Sequence, residues 1–413
     1  MTPTLIKQLD SSLNTEQTSP IVTNKLEMIW LKLKVIKQLF SIFNKKTGST
    51  FKALRLIQKI RKKYQNTFGE PLLTKAAKVD GRYFWRLASP GFPSLSSLKM
   101  HECEVNRFFP EEKNVGLRSL LFAITKKCPL NCEHCFEWDN LNKTEQLTTA
   151  DIIETVHKFQ DYGTTQMMFS GGEPMLRVTD IYEILKAAKP GTDFWIITSG
   201  LGLTLERAKQ LKEAGLTGVM VSLDHFEPSK HNVFRGFDSA FEKAQQAVFN
   251  ANSVGLVTTL ALCATQSFTT KQNLDAYMNL AKSWGVTFVQ FIEPRATGRY
   301  ALQDVSLSSH QLQLLEETYM TYNADKALQS YPIINYLGYH QRKVGCYGAG
   351  DRFFYIDTDG FAHICPYCSG KVANVRDFSA EEIIEKLSHN ACHTFQKNKV
   401  VFDNKKAISS VEA

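Results

Sequence analysis

Between about Gly116 and Arg299, short apolar runs alternate with helical stretches, and this alternation restricts the fold more than any other feature of the chain. The runs begin near Ser119, Gln166, Phe194, Gly218, Val257 and Phe288. Helical patterns lie between them, for example Thr149 to Gln160, Leu205 to Ala214, Phe241 to Ser253 and Lys271 to Trp284. Six such strand–helix units predict a parallel sheet covered by helices, because parallel neighbours need a crossover and strands buried on both faces read as unbroken apolar runs. The predicted fold class is α/β, a partial (β/α)6 barrel of the TIM type. Sheets of this kind gather their chemistry at the C-terminal ends of the strands. Unusual residues should therefore follow the apolar runs directly.

The first strand is followed by Cys128-Pro129-Leu130-Asn131-Cys132-Glu133-His134-Cys135. Three thiolates on one loop, spaced Cys-x3-Cys-x2-Cys, can meet at one metal centre, and soft thiolates suit iron–sulfur clusters. Three ligands leave one corner of a four-iron cluster open, whereas a structural zinc site wants a fourth protein ligand. His134 is a conceivable zinc ligand, although adjacent residues rarely bind one ion together. The second strand ends in Ser170-Gly171-Gly172-Glu173-Pro174. Two glycines let a ligand approach the backbone closely, and a carboxylate suits an ammonium group. The third strand ends in Thr198-Ser199-Gly200, the fourth in Ser222-Leu223-Asp224 and the sixth in Glu293-Pro294-Arg295. Ligand contact and helix capping are both open for Thr198, Ser222 and Asp224. Arg295 reads either as an anion contact or as the partner of a nearby acid.

These elements, in this order, resemble the radical S-adenosylmethionine (radical SAM) enzymes over about Gly116 to Arg299. The resemblance implies that Cys128, Cys132 and Cys135 hold a [4Fe-4S] cluster whose open iron is chelated by S-adenosylmethionine. It implies further that Gly171, Gly172, Glu173 and Pro174 hold the methionine moiety, and that Thr198, Ser222 and Asp224 contact ribose or carboxylate. An electron from the cluster would cleave the sulfonium to methionine and a 5′-deoxyadenosyl radical, which removes a hydrogen atom from a substrate. A one-electron donor such as flavodoxin or ferredoxin is implied, and oxygen sensitivity with it. The bottom-up alternative is a metal-stabilised binding protein that keeps the barrel without turnover.

Towards the C-terminus stand Cys346, the turn Asp357-Thr358-Asp359-Gly360, the pair Cys365 and Cys368, and Cys392. Asp359-Gly360 between two apolar runs predicts a hairpin that brings Cys346 and Cys365 together. A zinc ribbon is one reading of these cysteines. The layout Cys-x13-Gly-x4-Cys also resembles the SPASM module of radical SAM enzymes or its shorter twitch form. That likeness implies a second, auxiliary iron–sulfur cluster on Cys346, Cys365, Cys368 and Cys392. Lone Cys103 and Cys263 read as buried thiols.

Of 413 residues, 43% are hydrophobic and 22% charged, which excludes a disordered or fibrous chain and permits a sizeable core. Met1 to Pro20 is polar, with no apolar signal core, and no run approaches the roughly 18 residues that span a bilayer. A cytoplasmic protein is expected, in a compartment where clustered cysteines bind metal more often than they pair. The net charge of +8 is uneven: residues 1–66 carry 13 Lys and Arg against 3 Asp and Glu. The near-neutral body argues against nucleic acid.

The predicted organisation is a tail (1–24), basic amphipathic helices (25–66), a covering segment (67–115), the barrel (116–300), a helical linker (301–340), a cysteine-rich α+β module (341–395) and a tail (396–413). In the first basic helix Leu26, Ile29, Leu33, Ile36, Phe40 and Phe43 recur at helical spacing. Peripheral contact of residues 25–64 with the inner face of a membrane and packing on the body are both open. The substrate class is also open among peptide, lipid and small molecule.

Overall fold

The computed structural model describes residues 19–69, 73–109, 111–112, 115–368, 370–390, 392 and 394–395. The tail predicted at 396–413, and residues 1–18 of the other, lie outside these. Helices α1 (Lys25–Thr47) and α2 (Thr50–Phe68) come first. Gly48 separates them in the left-handed conformation, and the Asn24 and Ser49 side chains cap their first amides. A small hairpin of β1 (Ala77–Val79) and β2 (Arg82–Phe84) and helix α3 (Leu95–Asn106) follow.

The repeating core then runs β3 (Ser119–Thr125), α4 (Thr149–Tyr162), β4 (Gln166–Gly171), α5 (Val178–Ala187), β5 (Asp193–Thr198), α6 (Leu205–Glu213) and β6 (Leu216–Ser222). It continues through α7 (Pro228–Arg235), α8 (Ala240–Ser253), β7 (Val257–Cys263), α9 (Lys271–Ser283) and β8 (Phe288–Ile292). All six predicted strands are present. The chain ends with α10 (Ser309–Ala324), β9 (Ile333–Tyr336), α11 (Leu337–Val344), β10 (Phe353–Ile356), β11 (Phe361–His363), β12 (Ala373–Asn374) and α12 (Ala380–Ser388).

One sheet joins ten of these strands in the order β12-β11-β10-β3-β4-β5-β6-β7-β8-β9. From β10 to β9 every pairing is parallel, while β10, β11 and β12 form an antiparallel meander. The partial barrel is thus wider than six strands, with an extra parallel neighbour on either side. The segment 301–340 is not purely helical, since Ile333-Ile334-Asn335-Tyr336 pairs with β8. Four residues are too short a run to separate strand from helix by pattern alone. The cysteine-rich C-terminus likewise continues the sheet: Phe354 lies opposite Leu120 and Ile356 opposite Phe122.

Alternation along the strands divides the core. Leu120, Phe122, Phe169, Ile196, Val219, Leu260 and Phe291 pack outward against helix residues such as Ile152, Phe159 and Ile184. Inward-facing Trp195, Met220, Val257 and Phe288 pack instead with Ile21, Ala77, Phe84 and Leu87. Residues from the covering segment therefore plug the end of the barrel where the strands begin. Asp193, at the start of β5, anchors this plug by accepting from Arg82 Nη1 (3.3 Å), the Gly91 amide (3.1 Å) and Ser96 Oγ (2.6 Å). Gln166, at the start of β4, donates to the Leu87 carbonyl (2.9 Å).

Removing the Asp193 carboxylate strands three buried or half-buried donors. Asp193→Ala should cost about 3 kcal/mol of stability, read as a lower denaturation midpoint. An unchanged midpoint would remove Asp193 as the anchor.

Candidate metal and cofactor site

Thr125 ends β3, and the cysteine loop starts immediately beyond it. The loop is fixed against the end of β4 by two backbone bonds, Gly172 N to Thr125 O (2.7 Å) and Glu173 N to Lys127 O (2.8 Å). This contact accounts for the two glycines. A Cβ on Gly171 would collide with the Thr125 carbonyl, and one on Gly172 with the Lys127 carbonyl and Cys128. Gly171 also takes a φ of +128°. Sequence reasoning tied the bare backbone to an approaching ligand, and the structure adds a second constraint, the close approach of the cysteine loop.

Further along, the loop is held from two sides. The amides of Asn131 and Glu133 donate to the carbonyls of Arg235 (3.1 Å) and Phe234 (2.9 Å) at the end of α7. Arg299 donates to the carbonyls of Asn131 (2.8 Å) and Cys132 (3.2 Å), and Tyr300 Oη to Glu133 (2.7 Å). Gly236 follows α7 at a φ of +58°, where a Cβ would stand 2.7 Å from the Asn131 carbonyl.

The C-terminal hairpin closes over the same loop. Asp357 shapes the turn by accepting from the amides of Asp359 (2.9 Å) and Phe361 (2.8 Å) and from His363 Nε2 (2.9 Å). From this hairpin Asp359 pairs with Lys126 and Tyr355 donates to Glu137. Phe136, next to Cys135, packs edge-on against Tyr355 (5.9 Å between centroids) and Tyr367 (6.0 Å). Tyr367 stands between Cys365 and Cys368. The two cysteine sets are thereby joined through one pair of aromatic rings.

One cavity of about 850 Å³ is lined by Cys128, Cys132 and Cys135 and also by Cys346, Cys365, Cys368 and Cys392. Its wall includes Ser170, Gly171, Gly172, Glu173, Thr198, Ser222 and Asp224. Burial pushes the Cys128 and Cys135 thiols up to about 11 and 12, and neighbouring thiols add to the push. Three bare thiolates packed on one short loop repel one another, so a positively charged centre suits this donor set. Among the described residues no three His, Cys, Asp or Glu side chains converge as ligands of a single metal ion. A four-iron cluster takes its thiolates at separate corners, and three thiols on one loop leave one corner open. The Sγ atoms of Cys365 and Cys368 lie 3.3 Å apart, and Cys346 neighbours Cys368 and Cys392. The Gly348 amide (3.2 Å) and Gln341 Nε2 (3.6 Å) point at Cys346 Sγ.

His134 stacks half-buried on Phe234 (4.8 Å between ring centroids), and desolvation brings its imidazole down to about 4, leaving it neutral. Ser170 Oγ is buried beside the glycine pair without a hydrogen-bond partner, a polar atom left for a ligand. Glu173 is fully engaged. Its carboxylate accepts from Thr198 Oγ1 (2.7 Å), the Met175 amide (3.0 Å), and the Ser199 amide (2.8 Å) and hydroxyl (2.6 Å). Burial still raises its pKa, because none of these donors is a cation. Thr198 thus orients Glu173 and also accepts from the Gly200 amide (2.9 Å).

Asp224 likewise spends both oxygens on the protein, one on Arg235 (2.6 Å) and the other on the Cys263 amide (3.0 Å). Burial works against this carboxylate, but the Arg235 guanidinium keeps its pKa below the ordinary range. Arg235 in turn places Nη1 3.6 Å from Cys132 Sγ. Sequence reasoning passed over Arg235, whose only signal is a position eleven residues beyond Asp224 on the next helix. Ser222 lines the cavity, and Arg295 pairs with Glu293 (3.2 Å).

The family model of the radical SAM superfamily matches residues 122–276, from β3 into α9. This chain carries a radical SAM domain. Over 140 residues it is 34% identical to a protein of Methanocella arvoryzae described as a probable GTP 3′,8-cyclase, covering 34% of this chain and 45% of that one. The chain thus matches about half the length of that curated relative. The solved structure of Streptococcus suis SuiB bound to precursor peptide SuiA superposes with a TM-score of 0.53 at 13% identity, over 65% of this chain and 64% of SuiB. Native anSMEcpe with bound AdoMet gives 0.53 at 18%, over 66% and 83%. At these identities the likeness shows the fold. The radical SAM domain accounts for a [4Fe-4S] cluster and S-adenosylmethionine as the cofactors.

Gly172→Ala drives a methyl group into the loop backbone beside Cys128. The variant should lose the iron held by the loop, read as a lower iron content per chain than wild type, by about half if the C-terminal cysteines also hold four irons. Full iron content would show that the glycine pair does not seat the loop.

Proposed function

We propose that the chain is a radical SAM enzyme in which Cys128, Cys132 and Cys135 carry the cluster that cleaves S-adenosylmethionine. Cys346, Cys365, Cys368 and Cys392 carry an auxiliary cluster. The observation that supports this reading is the single cavity shared by both cysteine sets and the Ser170–Pro174 element. When bound, the cluster and S-adenosylmethionine together supply a radical able to remove hydrogen from an unactivated C–H bond.

The protein's own contribution is orientation. Glu173, immobilised by four donors, sets a negative charge at a fixed point beside the glycine pair, where an ammonium group is favoured. Ser170 and Ser222 line the cavity as further polar side chains. Phe136 packs edge-on against Tyr355 and Tyr367 between the cysteine sets and so fixes the two sets relative to each other. The auxiliary centre would accept an electron from a substrate radical or bind substrate through an open iron.

A peptide is the preferred substrate, supported by the fold shared with peptide-bound SuiB, with a lipid or small molecule as the second reading. A one-electron donor such as flavodoxin or ferredoxin, in a reducing cytoplasm, completes the scheme.

Anaerobically reconstituted protein given S-adenosylmethionine and a strong one-electron reductant should form 5′-deoxyadenosine. Changing Cys128, Cys132 and Cys135 together to Ala should abolish the product and remove about half the iron if each site holds a four-iron cluster. Wild-type protein with intact clusters and no product would overturn the reading in favour of a metal-stabilised binding protein.

A further inference from the structure

Helix α1 carries two apolar faces, and only one of them is used. Met28 and Leu31 pack with Val22, Ala76, Tyr83 and Phe92, while Ile42 and Phe43 pack with Ala53, Leu56 and Val105. Val35, Leu39 and Phe40 pack beside these clusters, whereas five further apolar residues, four of them picked out by sequence periodicity, are exposed, with Trp30 keeping one ring contact to Tyr83 (5.9 Å between centroids). Leu26 is 76% exposed, Leu33 62% and Ile29 54%, and Trp30 and Ile36 are also exposed. They form a continuous stripe about 15 Å long at about 3.6 residues per turn. Single exposed apolar residues are ordinary, but a stripe of five on one helix face calls for a partner.

Charge identifies that partner. Residues 25–68 hold twelve Lys and Arg and one acid, Glu27. That acid is neutralised by Lys78 (3.0 Å) and bonded by Tyr83 (2.6 Å). By helical geometry Lys25 and Lys32 border the stripe on one side and Lys34 on the other, while Lys37 closes its C-terminal end. Lys34, Lys37, Lys45 and Lys46 also line an open groove of about 990 Å³ shared with Leu98, Glu102 and Asn106 of α3. An apolar stripe flanked by lysines suits an interface that is apolar in depth and anionic at its surface. A second protein copy with the same basic rims would meet them with like charge.

We infer that the exposed face of α1 docks the protein on an anionic lipid bilayer, with Leu26, Ile29, Trp30, Leu33 and Ile36 entering the acyl boundary and the flanking lysines meeting headgroup phosphates. No described helix is long and apolar enough to cross a membrane, so the contact is peripheral. The neighbouring helix α2 lends Tyr64 and Phe68 to the cavity wall, so the docking element adjoins the chamber in which the substrate is held.

Sedimentation of the cluster-loaded full chain with vesicles of phosphatidylcholine alone, or mixed with phosphatidylglycerol, tests this. Binding should require phosphatidylglycerol and weaken with salt. Leu33→Asp and Ile29→Asp should each reduce it by roughly tenfold or more, with iron content and melting temperature unchanged. Lys34→Glu with Lys37→Glu should reduce it by a similar factor. Equal binding by Leu33→Asp and wild type would overturn the inference. So would a dimer in light scattering that Leu33→Asp dissociates without any vesicle binding, and so would binding that appears only once residues 1–18 are removed. Vesicle binding is read without turnover, so its failure leaves the proposed cleavage of S-adenosylmethionine untouched.

Discussion

Two backbones in direct contact organise this protein. The cysteine loop after β3 rests on the end of β4 with no side chain between them, through Gly172 N to Thr125 O and Glu173 N to Lys127 O. Everything else at the site is arranged around that seam. Thr198 and Ser199, from the next strand end, lock Glu173 beneath it. Arg235 and Arg299 hold the outer turn of the loop, and the hairpin between β10 and β11 holds its flanks. Packing of this kind fixes three thiols on a stretch with no regular secondary structure of its own, which is how a scaffold confers precision on a loop.

Asp224 and Arg235 show how a buried charge pair serves a neighbouring site. A carboxylate and a guanidinium out of contact with water are costly unless their partners are complete. Here the pair is completed by the Cys263 amide and by Cys132 Sγ, so its orientation is tied to a thiol of the loop. A hydrogen bond donated to a cluster thiolate is a recognised means of adjusting that cluster's potential.

The barrel was legible because strands buried on both faces leave unbroken apolar runs, and because reactive residues fall where those runs stop. Cys128, Cys132 and Cys135 stand out in the sequence by their spacing, and all three line one cavity. The close approach of the loop to Gly171 and Gly172 could not be read from the sequence, since it depends on which segment crosses them. Strand β9, at four residues, lies below what periodicity resolves. Arg235 was hidden because an arginine at a helix end ordinarily faces water. The apolar pattern of α1 was visible, but a pattern states only that a face exists. The packing shows that the body takes Phe40 and Phe43 from that pattern and leaves Leu26, Ile29, Leu33 and Ile36 exposed.

The pairing of β10 with β3 joins residues that lie more than 230 positions apart, as with Phe354 and Leu120. During synthesis β3 emerges early, yet its neighbour on that side arrives only near the end of translation. The cysteine loop therefore spends most of the chain's elongation without Asp359, Tyr355 and Tyr367 around it. Contacts of such long range form late and slowly. A product truncated before β10 would leave the loop without these neighbours and its thiols less enclosed.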